Sequence, residues 1–345
     1  MANKEERKPS FRGTLLTKLH LQRDLSLDRA RPDIGRVKWA LATFAGRMKN
    51  LMAINILLLV FLTPAILIFA LWLPQWTREA LEGLNFGGNL GVGYPGAGTA
   101  YLDGTVAVFE QRQRALLFLM PAFTLFGIGL AGAFYLMRNY SWRTPVKHIV
   151  HFGRGIKKYG IPFAIAFSVV GALVWALGHT ILQHMINAAQ GTVSAGNWVA
   201  MLAAALASFV YVVFLMFFLP HIMCYKVKWR YHFKNAAIFS VSLSHIALIN
   251  VVFMIAPLLL FLLPGFGSML MYILLGFVLF GYYVLWFTSV GQYAFDNFIE
   301  KTLDYKEQEY ARMSASERKL EKRKSEAKDH KGSAVAQFKK KKKKK

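Results

Sequence analysis

Residues 115–158 read ALLFLMPAFTLFGIGLAGAFYLMRNYSWRTPVKHIVHFGRGIKK, and this stretch decides the fold class. Its first part, residues 115–137, contains no Asp, Glu, Lys or Arg, whereas residues 138–158 contain six Lys or Arg and no acid. A helix needs about 20 consecutive apolar residues to cross the hydrocarbon core of a bilayer. The first part therefore predicts a membrane-spanning helix, and the second part predicts a basic connection on one side of the membrane.

The composition of the whole chain is typical of a membrane protein. Of the 345 residues, 55% are hydrophobic and only 17% are charged, and the net charge is +24. Soluble domains contain about 25% charged residues, so this composition excludes an ordinary soluble domain and also a disordered chain. Cys224 is the one cysteine, which rules out an internal disulfide and a cysteine-based metal site. We predict no cofactor and no bound metal.

Five more uncharged apolar runs of similar length lie on either side of this one. The six predicted spans are residues 52–74, 115–137, 161–185, 198–223, 236–263 and 269–290. Each run is too long for a strand, and the alternation typical of a membrane β-barrel is missing. We therefore predict an all-α fold, a polytopic membrane bundle of six transmembrane helices.

The distribution of charge predicts how the bundle is oriented. The connections 138–160 and 225–235 hold Lys and Arg but no acid, while the remaining connections hold acids as well as bases, or no charge. Cytoplasmic loops of membrane proteins are the basic ones. Both termini are therefore predicted to be cytoplasmic, and the basic side is expected to face an anionic inner leaflet of the bilayer.

The charge pattern also divides the chain into three predicted regions. Residues 1–50 form a basic cytoplasmic segment, and residues 51–295 form the membrane domain. Residues 296–345 form a basic cytoplasmic tail that ends in seven lysines, Lys339–Lys345. A run of like charge is usually solvated and disordered. Adhesion to anionic lipid and contact with RNA through its phosphates are the functional alternatives for this run.

Two further segments have a recognisable pattern. Residues 36–50 place apolar side chains at helical spacing between basic ones, namely Val37, Leu41, Phe44 and Met48. An amphipathic helix on the inner membrane surface explains this pattern, and a plain extension of the first spanning helix is the alternative. The outer connection 75–114 is rich in glycine, and Gly91, Gly93 and Gly96 match the spacing of a dinucleotide-binding turn. Such a turn follows a strand in the cytoplasm, so we expect a flexible or capping loop instead.

Basic side chains on the predicted inner side are candidate contacts for the phosphates of lipid or RNA. These candidates are Arg143, Lys147, Arg154, Lys157, Lys158, Lys339, Lys342 and Lys345. Because a cation beside an anionic membrane surface gains about 1 kcal/mol, a group of them is expected to hold this side of the protein against the inner leaflet.

Polar residues inside the spans are few. They are Asn55, His179, His184, His221, His245 and Asn250. The spans contain no carboxylate, so coupled secondary transport is not favoured, and no buried acid–base pair is available for an enzyme. A hydrogen bond to a neighbouring helix is the simplest role for each polar residue. Contact of His179, His245 and Asn250 with a transported substrate is the alternative.

Three segments of the chain read NLMAINILLLVFLTPAILIF, GLAGAFYLMRNYSWRTPVKHIVHFGRGIKKYGIP and FLPHIMCYKVKWRYHFKNAAIF. They resemble the YesL family of bacterial membrane proteins, a family defined as a domain of unknown function. Asn55, Thr63-Pro64, the GIKK at 155–158 and the FKNA at 233–236 carry the likeness, which covers roughly residues 47–295. The Gly-rich outer loop and the basic tail depart from the family pattern.

The resemblance implies a bacterial inner-membrane protein with an accessory or regulatory role beside carbohydrate-uptake ABC transporters, because members of the family often accompany such transporters. It supplies no catalytic residues. The connections 138–160 and 225–235 contain no acid and so lack the acidic coupling signature of a permease, which makes an accessory component the expectation. An independent carrier or channel for small solutes, and a membrane-biogenesis factor that contacts the ribosome through the tail, are the alternatives.

Small residues recur at four-residue spacing on two of the spans. They are Gly127 and Ala131 on the second, and Ala200, Ala204 and Ser208 on the fourth. Such spacing lets helix backbones approach closely. It predicts tight packing, either within the bundle or in a homo-oligomer.

Overall fold

The computed structural model describes residues 16, 18–19, 35–83, 97–142, 144–263 and 265–303, and their regular secondary structure is entirely helical. The α-helices are α1 (Arg36–Gly46), α2 (Met48–Leu67), α3 (Leu73–Gly83), α4 (Ala97–Ser141), α5 (His148–Ala189), α6 (Ala195–Cys224), α7 (Trp229–Ser242), α8 (Ser244–Ile255), α9 (Phe266–Phe277) and α10 (Leu279–Phe295). Ile68–Trp72 and Asp296–Glu300 are π-helical turns, and Ala256–Leu262 is a 3₁₀ helix that continues α8.

The predicted all-α membrane bundle is confirmed. Five helical stretches of the described chain are long and apolar enough to cross a membrane. They are Met48–Ala80, Gly104–Ser141, His148–Ala189, Ala195–Cys224 and Ser244–Leu262. The pair α9 and α10 makes a sixth span if it is counted as one element, although the two helices are bent by 67°.

The two spans predicted at 236–263 and 269–290 are both interrupted. The first is interrupted at Leu243, where the backbone has φ −113° and ψ 21°. One turn earlier, the hydroxyl of Ser240 donates to the carbonyl oxygen of Ala236 at 2.8 Å, a bond that competes with the helix ladder and bends helices. Beyond Pro257, which has no N–H to donate, the chain continues as a 3₁₀ helix.

The break at Val278 is bridged by Asn55 of α2. Val278 has φ −144° and ψ −19°, so the helical hydrogen bonds across it are lost. The amide group of Asn55 donates to the carbonyl oxygens of Leu275 and Gly276 at 2.9 and 2.7 Å. Its carbonyl oxygen accepts from the N–H groups of Phe280 and Gly281 at 2.8 and 3.4 Å. Asn55 thus satisfies backbone groups on both sides of the break, as expected for irregular backbone inside a membrane bundle.

The centre of the bundle is the long antiparallel hairpin of α4 and α5, with 45 and 42 residues. A Cβ atom added at Gly127 would lie 2.6 Å from the Cβ of Phe167, and one at Gly171 would lie 2.9 Å from the Cα of Met120. Ala131 has an exposed fraction of 0%. The small residues of the second span therefore serve packing inside the bundle. On the fourth span, Ala200 is exposed, and Ala204 and Ser208 are half-buried.

The outer connection 75–114 is helical at both ends. Helix α3 runs on to Gly83, and α4 already begins at Ala97. A helix does not have to end where the hydrocarbon ends, and this extension is held by aromatic contact, since the rings of Trp76 and Phe118 lie 5.5 Å apart. Residues 84–96, which include the predicted glycine turn, lie outside the described residues.

Helix α1 is a separate element rather than an extension of α2, because Arg47 between them has φ −128° and ψ 33°. The residues that it buries differ from the predicted apolar side. Trp39 and Ala40 are buried, whereas Leu41 has an exposed fraction of 58%. The small side chain of Ala40 lets α1 approach the bundle closely, and the ring of Phe44 packs 5.7 Å from that of Tyr282 on α10.

Candidate functional site

The described contacts do not join His179, His245 and Asn250, the three predicted substrate contacts, to one another. The ring of His179 stacks on Trp175 of its own helix, with ring centroids 5.3 Å apart. His245 is exposed at the start of α8. The amide group of Asn250 donates to the carbonyl oxygen of Ile246, one turn earlier in the same helix, at 2.6 Å. His179 and Asn250 thus contact residues of their own helices, and His179 lies on a different helix from the other two.

The predicted phosphate contacts that the structure describes are all exposed. Lys147 precedes α5, and Arg154, Lys157 and Lys158 lie in its first three turns. Arg143, Lys339, Lys342 and Lys345 lie outside the described residues. The exposed positions leave these cations accessible to lipid headgroups, and a phosphate-binding role for them stays a prediction.

A group of buried polar side chains lies where α4, α6 and α10 end, on the side that the charge pattern predicts to be cytoplasmic. Arg138 of α4 has an exposed fraction of 6%. Its Nη1 donates to the carbonyl oxygen of Met223 on α6 at 2.7 Å. The guanidinium lies between two rings, 4.4 Å from the centroid of Tyr135 and 4.3 Å from that of Trp142. Cation–π contact and a charge-assisted hydrogen bond therefore hold this buried cation.

Beside it, two buried histidines share one hydrogen bond. The Nδ1 atoms of His221 on α6 and His232 on α7 lie 2.7 Å apart. The amide nitrogen of Asn235 lies 3.1 Å from Nε2 of His221. With Asn235 as the donor there, the ring proton of His221 sits on Nδ1, and Nδ1 of His232 accepts it. This arrangement requires a His232 ring with a free Nδ1, which a doubly protonated ring does not have.

His232 belongs to the predicted inner connection 225–235, outside the membrane spans. Burial lowers its pKa from 6.5 to about 4, against the opposing effect of a hydrogen bond to the backbone of Val227. The direction follows from the cost of placing a charged ring among apolar and aromatic groups. His232 is therefore neutral at neutral pH, as its hydrogen bond with His221 in this arrangement requires.

A carboxylate also enters the core at this end of the bundle. Glu300 in the π-helical turn after α10 has an exposed fraction of 1%. Its Oε1 accepts from the hydroxyl of Tyr225 at 3.0 Å. Nearby, the hydroxyl of Ser141 on α4 donates to Oε1 of Gln292 on α10. These contacts join the ends of α4 and α10 and the connection that follows α6.

A search of the sequence for charged residues inside apolar runs misses most of these polar residues. Arg138 directly follows a predicted span, His232 lies in the predicted connection 225–235, and Glu300 lies ten residues past the last predicted span. At such positions charge normally signals solvent. The sequence feature that indicates burial of Glu300 is the spacing of the apolar residues before it. Phe295, Phe298 and Ile299 continue the α10 pattern past the predicted span and are followed directly by Glu300. A helix that continues to bury one face carries such a residue into the protein.

An open groove on the described surface lies between α1, α8 and α10. It has a volume of about 520 Å³, within the roughly 300–1,000 Å³ usual for ligand pockets. Its lining is almost entirely apolar and comprises Ala40, Leu41, Phe44, Ile246, Ile249, Asn250, Phe253, Tyr282, Leu285, Trp286, Ser289, Val290 and Tyr293. We call this the α1–α8–α10 groove. Its apolar lining suits hydrocarbon rather than a sugar or an ion.

Chemically, the arrangement provides a hydrogen-bonded polar end and an apolar groove beside it. The described residues contain no group of three or more His, Cys, Asp or Glu side chains that could hold a metal ion.

In comparisons with known proteins, no family model, no curated protein and no solved structure matches the chain. The resemblance to the YesL family therefore stays a prediction from the sequence.

Proposed function

We propose that this chain is an accessory or regulatory component of a carbohydrate transport system in the bacterial inner membrane, without enzymatic activity of its own. In this proposal it acts by binding other membrane components. The observation that supports the proposal best is that its internal polar groups form hydrogen bonds that hold the helices together. Asn55 bridges a helix break, Asn235 holds His221, and Arg138 ties α4 to the backbone of α6.

These contacts favour a scaffold with one fixed arrangement, because each of these three residues forms a hydrogen bond with a neighbouring helix. Two of the residues that carry the resemblance to the YesL family, Asn55 and Asn235, are among them. The likeness therefore falls on residues that hold the bundle together. This agrees with a family whose members share an architecture rather than a catalytic centre.

The test is co-purification from the native membrane. The tagged full chain, extracted in a mild detergent, should bring down subunits of a sugar importer, and a strain that lacks the protein should take up the sugar more slowly until it is complemented. A polytopic membrane protein with the same tag is the control for non-specific recovery. Recovery of no transporter subunit, together with unchanged uptake, would contradict the proposal.

A second candidate function, an independent carrier for small solutes, is supported by one specific observation. Two successive spans depart from α-helical geometry, one beside Pro257, where α8 passes into a 3₁₀ helix, and one at Val278, and both residues line a common groove of about 240 Å³. Discontinuous helices in membrane transporters often surround the substrate site. Tyr282 and Tyr283 connect the two spans, since their hydroxyls donate to the carbonyl oxygens of Phe253 and Met254, both at 3.1 Å.

This alternative predicts solute flux in proteoliposomes that contain only the purified chain. Alanine at His179, His245 and Asn250 should lower that flux if these residues contact the solute. Flux equal to that of protein-free liposomes would contradict an independent carrier. Flux that is present but unchanged by the three substitutions would place the solute elsewhere, with the groove beside Pro257 as the next candidate.

A further inference from the structure

The hydrogen-bonded chain of Asn235, His221 and His232 lies where α6 ends and α7 begins. All three side chains are buried. The two Nδ1 atoms lie 2.7 Å apart, and a hydrogen bond between two ring nitrogens contains one proton, which one ring donates and the other accepts. The amide group of Asn235 lies 3.1 Å from the second nitrogen of His221, Nε2. The orientation of this amide therefore determines which ring carries the shared proton.

Two arrangements of the chain are compatible with these distances. In the first, the amide nitrogen of Asn235 donates to Nε2 of His221, and Nδ1 of His221 donates to Nδ1 of His232. In the second, the amide is turned over, and its carbonyl oxygen accepts from Nε2 of His221. Nδ1 of His221 is then an acceptor, and Nδ1 of His232 becomes the donor. Both arrangements contain the same two hydrogen bonds, with opposite directions.

The other nitrogen of His232 fixes the charge of each arrangement. His232 also hydrogen-bonds to the backbone of Val227, and this bond stabilises the charged ring, as donation to a carbonyl oxygen does. Because Nδ1 is engaged by His221, the donor to Val227 is Nε2. In the first arrangement His232 donates from Nε2 alone and is neutral. In the second it donates from both nitrogens and carries a positive charge.

The surrounding charges include one buried acid. The charged and titratable residues on the elements around the pair are Arg138 of α4, Tyr225, Lys226 and Lys228 of the connection, Arg230, Tyr231 and Lys234 of α7, and Asp296 and Glu300 after α10. The four basic residues at 226–234 are exposed, so solvent screens them. Glu300 is buried and accepts from Tyr225, whose ring stacks on His221 with centroids 4.7 Å apart. A carboxylate at this junction favours a nearby cation.

We propose that the Asn235–His221–His232 chain is a binding site for one proton, taken up from the side that the charge pattern predicts to be cytoplasmic. The shared proton passes from Nδ1 of His221 to Nδ1 of His232, and the proton from solvent binds to Nε2 of His221. The two rings thus carry two ring protons before uptake and three after it. The positive charge is on His232, and His221 is neutral in both arrangements.

Uptake conserves the number of hydrogen bonds, so the burial of one charge is what opposes it. The lowered pKa of His232, for which burial is the largest cause, agrees with this. The moving part is the amide of Asn235, which turns over in place while α6 and α7 stay joined. The inference does not depend on the proposed transport role, because it concerns only how this junction binds a proton.

The experiment is nuclear magnetic resonance of the full chain in nanodiscs, labelled with ¹⁵N in its histidine rings, during a titration from neutral pH to below the pKa of His232, about 4. The variants His221→Gln and His232→Gln assign the signals. At neutral pH we expect the proton of His221 on Nδ1 and that of His232 on Nε2. On acidification both nitrogens of His232 should become protonated, while His221 stays neutral and its proton moves from Nδ1 to Nε2.

Asn235→Asp tests the role of the amide. A carboxylate accepts from Nε2 of His221 but cannot donate to it, so it selects the second arrangement. The midpoint for protonation of His232 should therefore rise by about 1–3 pH units. Lys234→Glu is the control, because it changes the charge at the neighbouring, exposed position by twice as much without touching the chain. Its midpoint should shift by well under one unit, since exposed charges are screened.

A His221 that keeps its proton on Nδ1 while His232 titrates would overturn the proposal, because the hydrogen bond between the rings would then break rather than reverse. Equal midpoints for Asn235→Asp and Lys234→Glu would also overturn it, since the amide would then act only as a nearby dipole. If Asn235→Asp does not fold, the wild-type titration carries the test, and the position of the His221 proton below the midpoint decides it.

Discussion

The backbone of Gly281 on α10 lies against the carbonyl oxygen of Leu51 on α2, so that a Cβ atom at Gly281 would lie 2.6 Å from that oxygen. The two helices meet backbone to backbone directly beside the break at Val278. The same approach places Asn55, one turn further along α2, within reach of the interrupted ladder. Gly281 therefore allows the close approach of the two helices, and this approach brings Asn55 within hydrogen-bond distance of the break.

Replacing Gly281 by alanine should separate the two helices, because the clashing atom belongs to the backbone and cannot rotate away. We expect a loss of about 1–3 kcal/mol, the usual cost of overpacking a close contact, measured by unfolding of the purified protein in detergent. Gly153→Ala is the control, since a Cβ there would meet nothing within 4 Å. That change should be neutral or stabilising by up to about 1 kcal/mol. Equal effects would contradict the close approach.

Asn55→Leu should leave the backbone groups at the Val278 break without partners in an apolar environment. Each buried polar group that loses its partner costs about 1–3 kcal/mol, so we expect a large loss of stability. Asn250→Leu is the matched control, because Asn250 bonds only within its own helix in the contacts described, and its loss should cost well under half as much. Similar losses for the two variants would show that Asn55 does not bridge the break.

Arg138→Lys should destabilise the protein although the charge is kept. The planar guanidinium stacks between Tyr135 and Trp142 while it donates to Met223, and an ammonium group cannot reproduce this combination. We expect a loss of about 1–3 kcal/mol in the same unfolding assay. The control is Arg154→Lys at an exposed site, which should stay within about 0.5 kcal/mol of wild type. An unaffected Arg138→Lys variant would mean that a point charge is sufficient.

Stability should depend on pH through His232. Its pKa in the folded protein is about 4, below the usual 6.5, so between these values the unfolded chain binds a proton that the folded protein does not. Folding stability should therefore be complete above pH 6.5 and fall as the pH drops towards 4. In His232→Phe this fall should be smaller, whereas the same change at the exposed His245 should keep the wild-type profile. An identical profile for His232→Phe would contradict the assignment.

The predicted orientation can be tested by cysteine labelling, with the chain's single native cysteine as the measure of background reaction. Cys224 has an exposed fraction of 1%, so wild type should not react with a membrane-impermeant maleimide in intact cells. Ser194→Cys, in the exposed turn between α5 and α6, should be labelled from outside. Gly153→Cys, near the start of α5, should be labelled only after the membrane is opened. The reverse pattern would invert the orientation.

How far the sequence could predict the fold is clearest at the last two spans. Residues 236–263 and 269–290 are as apolar as the other spans, and hydropathy measures length and composition but not the continuity of a backbone. Val278 lies in a run with no proline, and its break is stabilised by Asn55, 223 positions earlier in the numbering. A contact between such distant segments cannot be deduced from local pattern.

Local sequence pattern also does not show which polar residues of the candidate site are buried. His179, His245 and Asn250 stand out because they are polar in apolar runs, yet His179 and Asn250 contact their own helices and His245 is exposed. His232 and Glu300 look like ordinary residues of polar connections, yet both are buried. Burial of a residue at the end of a helix depends on how the neighbouring helices end around it, which the tertiary structure alone specifies.

By itself, the sequence determined that this protein is an all-helical membrane bundle, because long uncharged apolar runs are stable only where lipid replaces water. The tertiary structure alone decided where helices break, which polar groups bridge the breaks, and where the α1–α8–α10 groove opens. The physical reason is that burial in lipid is a property of each segment, whereas a hydrogen bond across a break and a groove between helices require segments that meet only in the folded chain.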